Sequence, residues 1–170
     1  MKYLLFYLVS FLFASAIYGQ QGTRVGVIDT DMVIRESVAG KAFFKDYQVF
    51  IDSKRNELQK QAEILEQYQK DMQAKAHLLN EIQMQEKQVE FEEMQKRLKY
   101  RQEDAEREAQ ARLNSKLEEM QRALVPIIRQ VAIDNTIQIV LNNGTQSGVV
   151  YFSETVNITE FVIAMYNAQQ

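Results

Sequence analysis

The sequence has no cysteine, one histidine and one proline, and no glycine between Gly40 and Gly144. Without cysteine there is no disulfide framework, no thiol nucleophile and no sulfur ligand for zinc. The lone histidine, His77, falls near an expected helix turn, where no rigid neighbours would make it a general base or a metal ligand. Phosphate-loop, serine-elbow and HExxH patterns are missing as well. An enzyme is therefore not expected, and no cofactor. Positive charge is also scarce, since the formal net charge is -3. Phosphate affinity needs a basic surface, so nucleic acid is not an expected partner.

A long hydrophobic run is absent too. The apolar run at residues 3–13 follows Lys2 and is well short of the ~20 residues that cross a bilayer. Small residues follow it at Ala14, Ser15, Ala16 and Gly19. Residues 1–19 read as a cleaved signal peptide, with cleavage after Gly19, or alternatively after Ala16. No cysteine follows the run to carry a lipid. The mature chain of about 150 residues is expected outside the cytoplasm as one elongated unit.

Over residues 37–134 the sequence is rich in Glu, Gln, Lys, Arg, Ala, Leu and Met, which predicts continuous helix. Leu58, Leu65, Met72 and Leu79 recur every seven residues, with Ala62, Tyr68, Ala76 and Ile82 between them. Leu113, Leu117, Met120, Leu124, Ile127 and Val131 then alternate spacings of four and three. This is a coiled-coil seam. From Ala105 through Ala109 to Leu113 it gains an extra four residues, a stutter that unwinds the supercoil locally.

A capping box folds the seam back on itself. Asn80 accepts from the next turn and Gln83 reaches back to the Asn80 amide. The spacing predicts one helix over 39–77, a hairpin tip near 75–80 and a second helix over 81–134. Arms of about 40 residues reach roughly 60 Å. A single unbroken rod is the alternative. Pro126 is expected to kink the second helix where it joins the base. Glu66–Lys70, Asp71–Lys75, Glu92–Lys96, Glu93–Arg97, Glu103–Arg107, Glu108–Arg112 and Glu118–Arg122 place an acid four residues ahead of a base. Each such pair contributes about 0.2–0.5 kcal/mol.

Residues 20–36 and 135–170 read as a β-containing oligomerisation body. Residues 25–29 form an expected strand, and Thr30 an N-cap for a brief helix over 31–36, with Asp31 at its positive end. Residues 137–141 and 149–152 are two further expected strands, with Asn142-Asn143-Gly144 in the loop between them. Asn157 with Glu160 opens a last helix over 158–167. The fold class is α+β, mainly α: a small sheet body from which a long antiparallel coiled-coil hairpin projects. Val25, Val27, Ile28, Ile137, Ile139, Leu141, Val149 and Tyr151 are the expected oligomerisation residues. The sequons at Asn143 and Asn157 read better as a turn and a helix cap. Lys96, Arg97, Lys99 and Arg101 form a basic cluster that Glu92, Glu93, Glu103 and Asp104 largely cancel. Binding of lipopolysaccharide or an anionic membrane is left open.

Three segments in this order, RVGVIDTDMVIRES, LVPIIRQVAIDNTIQIVLNNG and GVVYFSETVNITEFVIAMYN, together with the Gln- and Glu-rich hairpin between the first two, resemble the Skp/OmpH family of periplasmic chaperones. The resemblance spans essentially the whole mature chain and rests on order and spacing, not on one sharp motif. It implies a homotrimer whose sheet segments form a body and whose three hairpins surround a cavity. Unfolded outer-membrane proteins would be held there without ATP. The best-known members are markedly basic and this chain is not, so a lipopolysaccharide site is not carried over. Ile64, Met84 and Tyr100 lie off the seam and are candidates for client contact, or else fill the hairpin's flanks. A structural coiled-coil spacer of the cell envelope is the competing reading.

Overall fold

The computed structural model describes residues 22–169 apart from residue 146. The expected signal peptide at 1–19 lies outside the described residues. The chain runs through strand β1 (Val25–Ile28), helix α1 (Thr30–Glu36) and helix α2 (Val38–Lys75). A 3-10 turn (Ala76–Leu78) leads to helix α3 (Glu81–Asp134), strand β2 (Ile139–Asn142), a second 3-10 turn (Glu154–Val156) and helix α4 (Thr159–Ala168). The α+β, mainly α class is what the sequence led us to expect.

Among the described residues the sheet has two strands. β1 and β2 pair in parallel, from Val25 opposite Ile139 to Ile28 opposite Asn142. Parallel neighbours need a crossover, and here the crossover is the whole helical hairpin. The third strand expected at 149–152 does not form: Val150 is 99% exposed and Tyr151 86%. After β2 the chain does not fold back on the strand. The Ser147 amide donates to the Gly144 carbonyl, and Thr145 donates to Asp31 from its amide (3.1 Å) and its hydroxyl (2.9 Å). The free edge of β1 is taken instead by Asn157 and Ile158, whose amide donates to the Val27 carbonyl.

The same bonds decide the role of Asp31. Thr145's amide, then its hydroxyl, and finally the nearby Arg35 charge hold its carboxyl below the ordinary range, against a smaller opposing effect of burial. Capping falls one residue earlier than the sequence suggested. Asp29, not Thr30, accepts from the Met32 amide at 2.8 Å, while Thr30 donates to Asn142 from its amide and its hydroxyl. β2 is thereby tied to the start of α1. At the other end, Asn157 shapes the turn ahead of α4 by accepting from Thr159. The buried Thr159 hydroxyl in turn accepts from the Asp29 amide.

The core is one cluster. Ile28, Val33 and Ile34 come from the first segment, Met120, Leu124, Ile127 and Val131 from the end of α3, and Val162, Ile163 and Tyr166 from α4. The seam of α3 thus becomes the body's core stripe at its C-terminal end. α3 continues through Pro126 without a break. It stops at Thr136, whose φ of 55° lies in the left-handed region. The Ile137 amide then reaches back to the Ala132 carbonyl at 2.8 Å, a stop usually made by glycine.

α1 and α2 meet at Ser37, which is fully buried. Its hydroxyl accepts from the Gly40 amide and donates to the Ile34 carbonyl. Gly40 is required there, because a Cβ would lie 1.6 Å from the Ile34 carbonyl oxygen. Gly40→Ala must displace backbone and is expected to cost about 3 kcal/mol, seen as a lower denaturant midpoint. Thr136→Gly should act in the opposite sense, stabilising by roughly 0.5–1 kcal/mol through relief of left-handed strain. A midpoint unchanged or lowered by that substitution would show that the Arg24–Thr136 hydrogen bond at 2.8 Å outweighs the strain.

Candidate functional site

The arm is built outward from the body by α2 and back by α3, and the expected capping box turns it. Asn80 Oδ1 accepts from the Gln83 amide at 2.9 Å, and Gln83 Oε1 accepts from the Asn80 amide at 3.1 Å. His77 is exposed in the 3-10 turn before it. No group of three or more His, Cys, Asp or Glu among the described residues could hold a metal.

Two clasps join the helices. Near the tip, Tyr68 stacks on the buried Phe91 (centroids 6.4 Å apart, planes 12° apart), and its hydroxyl donates to Glu90. Lys87 pairs with Glu90 at 3.0 Å and lies over the Tyr68 ring. The Tyr68 hydroxyl, then the Lys87 ammonium, hold the Glu90 carboxyl below its usual range. Burial, then the hydrogen bond to Glu90, push the Tyr68 phenol up against the opposing influence of Lys87. Near the root, Phe43, Tyr47 and Phe50 form an aromatic ladder along α2. Tyr47 donates to the Ala109 carbonyl at 3.2 Å, Arg112 covers the Phe50 ring, and Lys54 bonds Glu108 at 2.7 Å. Between the clasps lies an open groove of about 610 Å³ floored by Leu58, Ala62, Ala105 and Ala109. The stutter residues Ala105 and Ala109 line it beside Leu58 and Ala62, and Arg101 pairs with Glu57 across the arm there at 3.2 Å.

These clasps change the charge pattern read from the sequence. Glu66–Lys70, Glu93–Arg97 and Glu118–Arg122 pair as expected. Glu108 turns across the arm to Lys54 and Arg112 to Phe50. Glu103 meets Lys99, Arg107 meets Asp104, and Asp71 and Glu92 accept from Gln67 and Gln88. A partner on the other helix, or a lysine or glutamine on the preceding turn, competes with the residue four places on.

Ile64 and Tyr100 are 53% and 62% exposed, and Met84 is half-buried. They are spread along the arm and form no single patch. Ile82, which the heptad places on the seam, is 70% exposed, because the capped turn resets the helix phase just before it. Leu78, Val49 and Val89 are also exposed apolar side chains that periodicity did not single out. In the body, Val27 and Ile28 are buried within the chain itself, Val25, Ile137 and Val149 are half-buried, and Ile139 and Leu141 are 47% and 43% exposed.

A family model described as "Outer membrane protein (OmpH-like)" matches residues 24–166. The chain belongs to the OmpH-like family. The match takes in the sheet, both arms and most of α4, so the resemblance read from the sequence holds. Among solved structures, the OmpH-like chain is similar to a candidate outer membrane chaperone (OmpH-like) from Caulobacter crescentus CB15. The TM-score is 0.73 at 18% identity, covering 87% of this chain and 86% of that one. At that identity the likeness is one of fold. Among curated proteins none matches the chain.

The tip clasp should respond to acid. Glu90's folded pKa is lowered, so its contribution is present above the unfolded value of about 4.3 and is lost as pH falls through the folded pKa. Amide exchange between residues 68 and 91 should accelerate in acid ahead of exchange in the body, and Glu90→Gln should abolish that step. Equal acceleration in the variant would assign the effect to other carboxylates.

Proposed function

We propose that this OmpH-like protein is an ATP-independent holdase chaperone of the periplasm, which binds unfolded outer-membrane proteins between helical arms and keeps them from aggregating. The observation that carries the reading is the set of exposed apolar side chains on the arms. Val49, Ile64, Ile82 and Tyr100 each stand among charges, away from the seam and from any core. Scattered apolar contacts suit a binder of varied unfolded chains, because no single contact demands a particular sequence. Family membership supports the same reading.

The cavity would come from three copies. Among the described residues β2 offers an unpaired edge, and Val150 and Tyr151 of the strand-prone segment 149–152 are left in solvent. A sheet this small leaves edges that seek partners. In this reading residues 20–36 and 135–170 form the shared body, with Ile139, Leu141, Val149 and Tyr151 covered by neighbouring protomers. Val25, Val27, Ile28 and Ile137 hold the strands that present them. Residues 37–134 are the arm. Net charge -3 gives no support to nucleic acid as a ligand, and capture would lean on apolar contact more than on charge.

The cross-arm clasps favour one competing reading, a stiff spacer that holds a fixed partner in the envelope. Light scattering separates the two. A denatured porin diluted into a near-stoichiometric amount of the protein should stay soluble, and sedimentation should give a trimer. Replacing Ile64 and Tyr100 together by serine should weaken holding several-fold at unchanged thermal midpoint. Undiminished aggregation beside the unsubstituted protein, or a monomer in solution, would reject the holdase.

A further inference from the structure

The described methionines differ in exposure: Met120 is buried, and those of the distal arm, like Met32 and Met165 of the body, are half-buried. Met72 on α2 and Met84 and Met94 on α3 are all half-buried in the distal part of the arm. Met120, at the head of the core stripe, is 1% exposed. Of the arm residues between Met72 and Met94, only Phe91 is buried. The arm there is two helices thick with no third layer over it, so its half-buried thioether side chains keep part of their surface in solvent. With no cysteine in the sequence, thioethers are the chain's most readily oxidised side chains.

We propose that Met72, Met84 and Met94 form an oxidation site that loosens the distal arm while the core stripe that begins at Met120 stays closed, a property independent of the chaperone reading. A thioether sulfur takes one oxygen atom from hydrogen peroxide or hypochlorous acid and gives up two electrons. The oxidant leaves as water, or as chloride with a proton, and the product is methionine sulfoxide. An apolar, flexible side chain becomes polar. In a two-helix arm no second layer compensates, so helix pairing weakens from the tip to just past the Tyr68–Phe91 stack. Met120, packed with Leu124 and Val33 in the core cluster, is shielded and holds the root. A methionine sulfoxide reductase, drawing two electrons and two protons from a dithiol and releasing the oxygen as water, returns the thioether and the pairing.

The test exposes the mature protein to graded hydrogen peroxide and hypochlorite, with peptide mass mapping and amide exchange as readouts. Met72, Met84 and Met94 should each gain one oxygen several-fold faster than Met120, and exchange between residues 72 and 94 should rise with them. A reductase should reverse both changes. A Met72→Leu, Met84→Leu, Met94→Leu variant keeps volume and apolarity, and its arm exchange should not respond to oxidant. Because the half-buried Met32 and Met165 of the body remain in it, the variant also separates arm from body oxidation. Equal oxidation of Met120, unchanged exchange after full oxidation of the three, or an oxidant response in the variant as large as in the natural chain would each overturn the proposal.

Discussion

The parallel pairing of β1 with β2 is the constraint that the rest of the molecule satisfies. Two strands joined by more than a hundred residues must lie side by side in one register, so everything between them has to leave the body and return to the same place. α2 and α3 meet that demand only because the chain reverses at one fixed point, Asn80. α3 is longer than α2, 54 residues against 38. The surplus carries the stripe from Met120 to Val131 into the core. A reversal a few residues away would rotate that stripe out of the body, because helix phase advances about 100° per residue. Register in the sheet and capping at the tip are thus parts of one geometric condition.

The arm is organised differently from the body. Its charged pairs are exposed, and exposed pairs contribute little each. What joins the two helices is concentrated at aromatic positions, Tyr47 and Phe50 near the root and Tyr68 with Phe91 near the tip. Each tyrosine also donates across to α3, to the Ala109 carbonyl in one case and to Glu90 in the other. The alanine-floored stretch between them has little to bury, so stiffness is uneven along the arm. The family's fold is shared with the Caulobacter chain at 18% identity, so it is compatible with wide variation in sequence.

Much of this architecture was legible in the sequence, for local reasons. Missing glycine, the Asn80–Gln83 spacing and the heptads are features of adjacent residues, and they set the helix limits, the turn and the seam. The β-branched segment at 149–152 misled because strand propensity describes a fit to a pleated surface, and within one chain the segment does not reach one: Asn157 occupies the β1 edge, and Asp31 draws the loop after β2 away from the β2 edge. The charge pattern misled in part because partners on the second helix, such as Lys54 for Glu108, are invisible to spacing. Ile82 misled because a heptad counted across Asn80 ignores the phase lost in the turn. For the candidate site, the sequence marked exposed residues off the seam, yet the aromatic clasps that hold their backbone were not found. Regular aromatic spacing on α2 at Phe43, Tyr47 and Phe50 was the available signal.

The distance along the chain between β1 and β2 also bears on how the molecule comes into being. β1 is among the first described elements synthesised and β2 among the last, so the body cannot close until nearly the whole polypeptide is made. The arm, by contrast, needs only its own neighbours and can coil as soon as Asn80 and the following turns emerge. A nascent chain therefore carries a finished, charge-covered hairpin while its core residues still wait for α4.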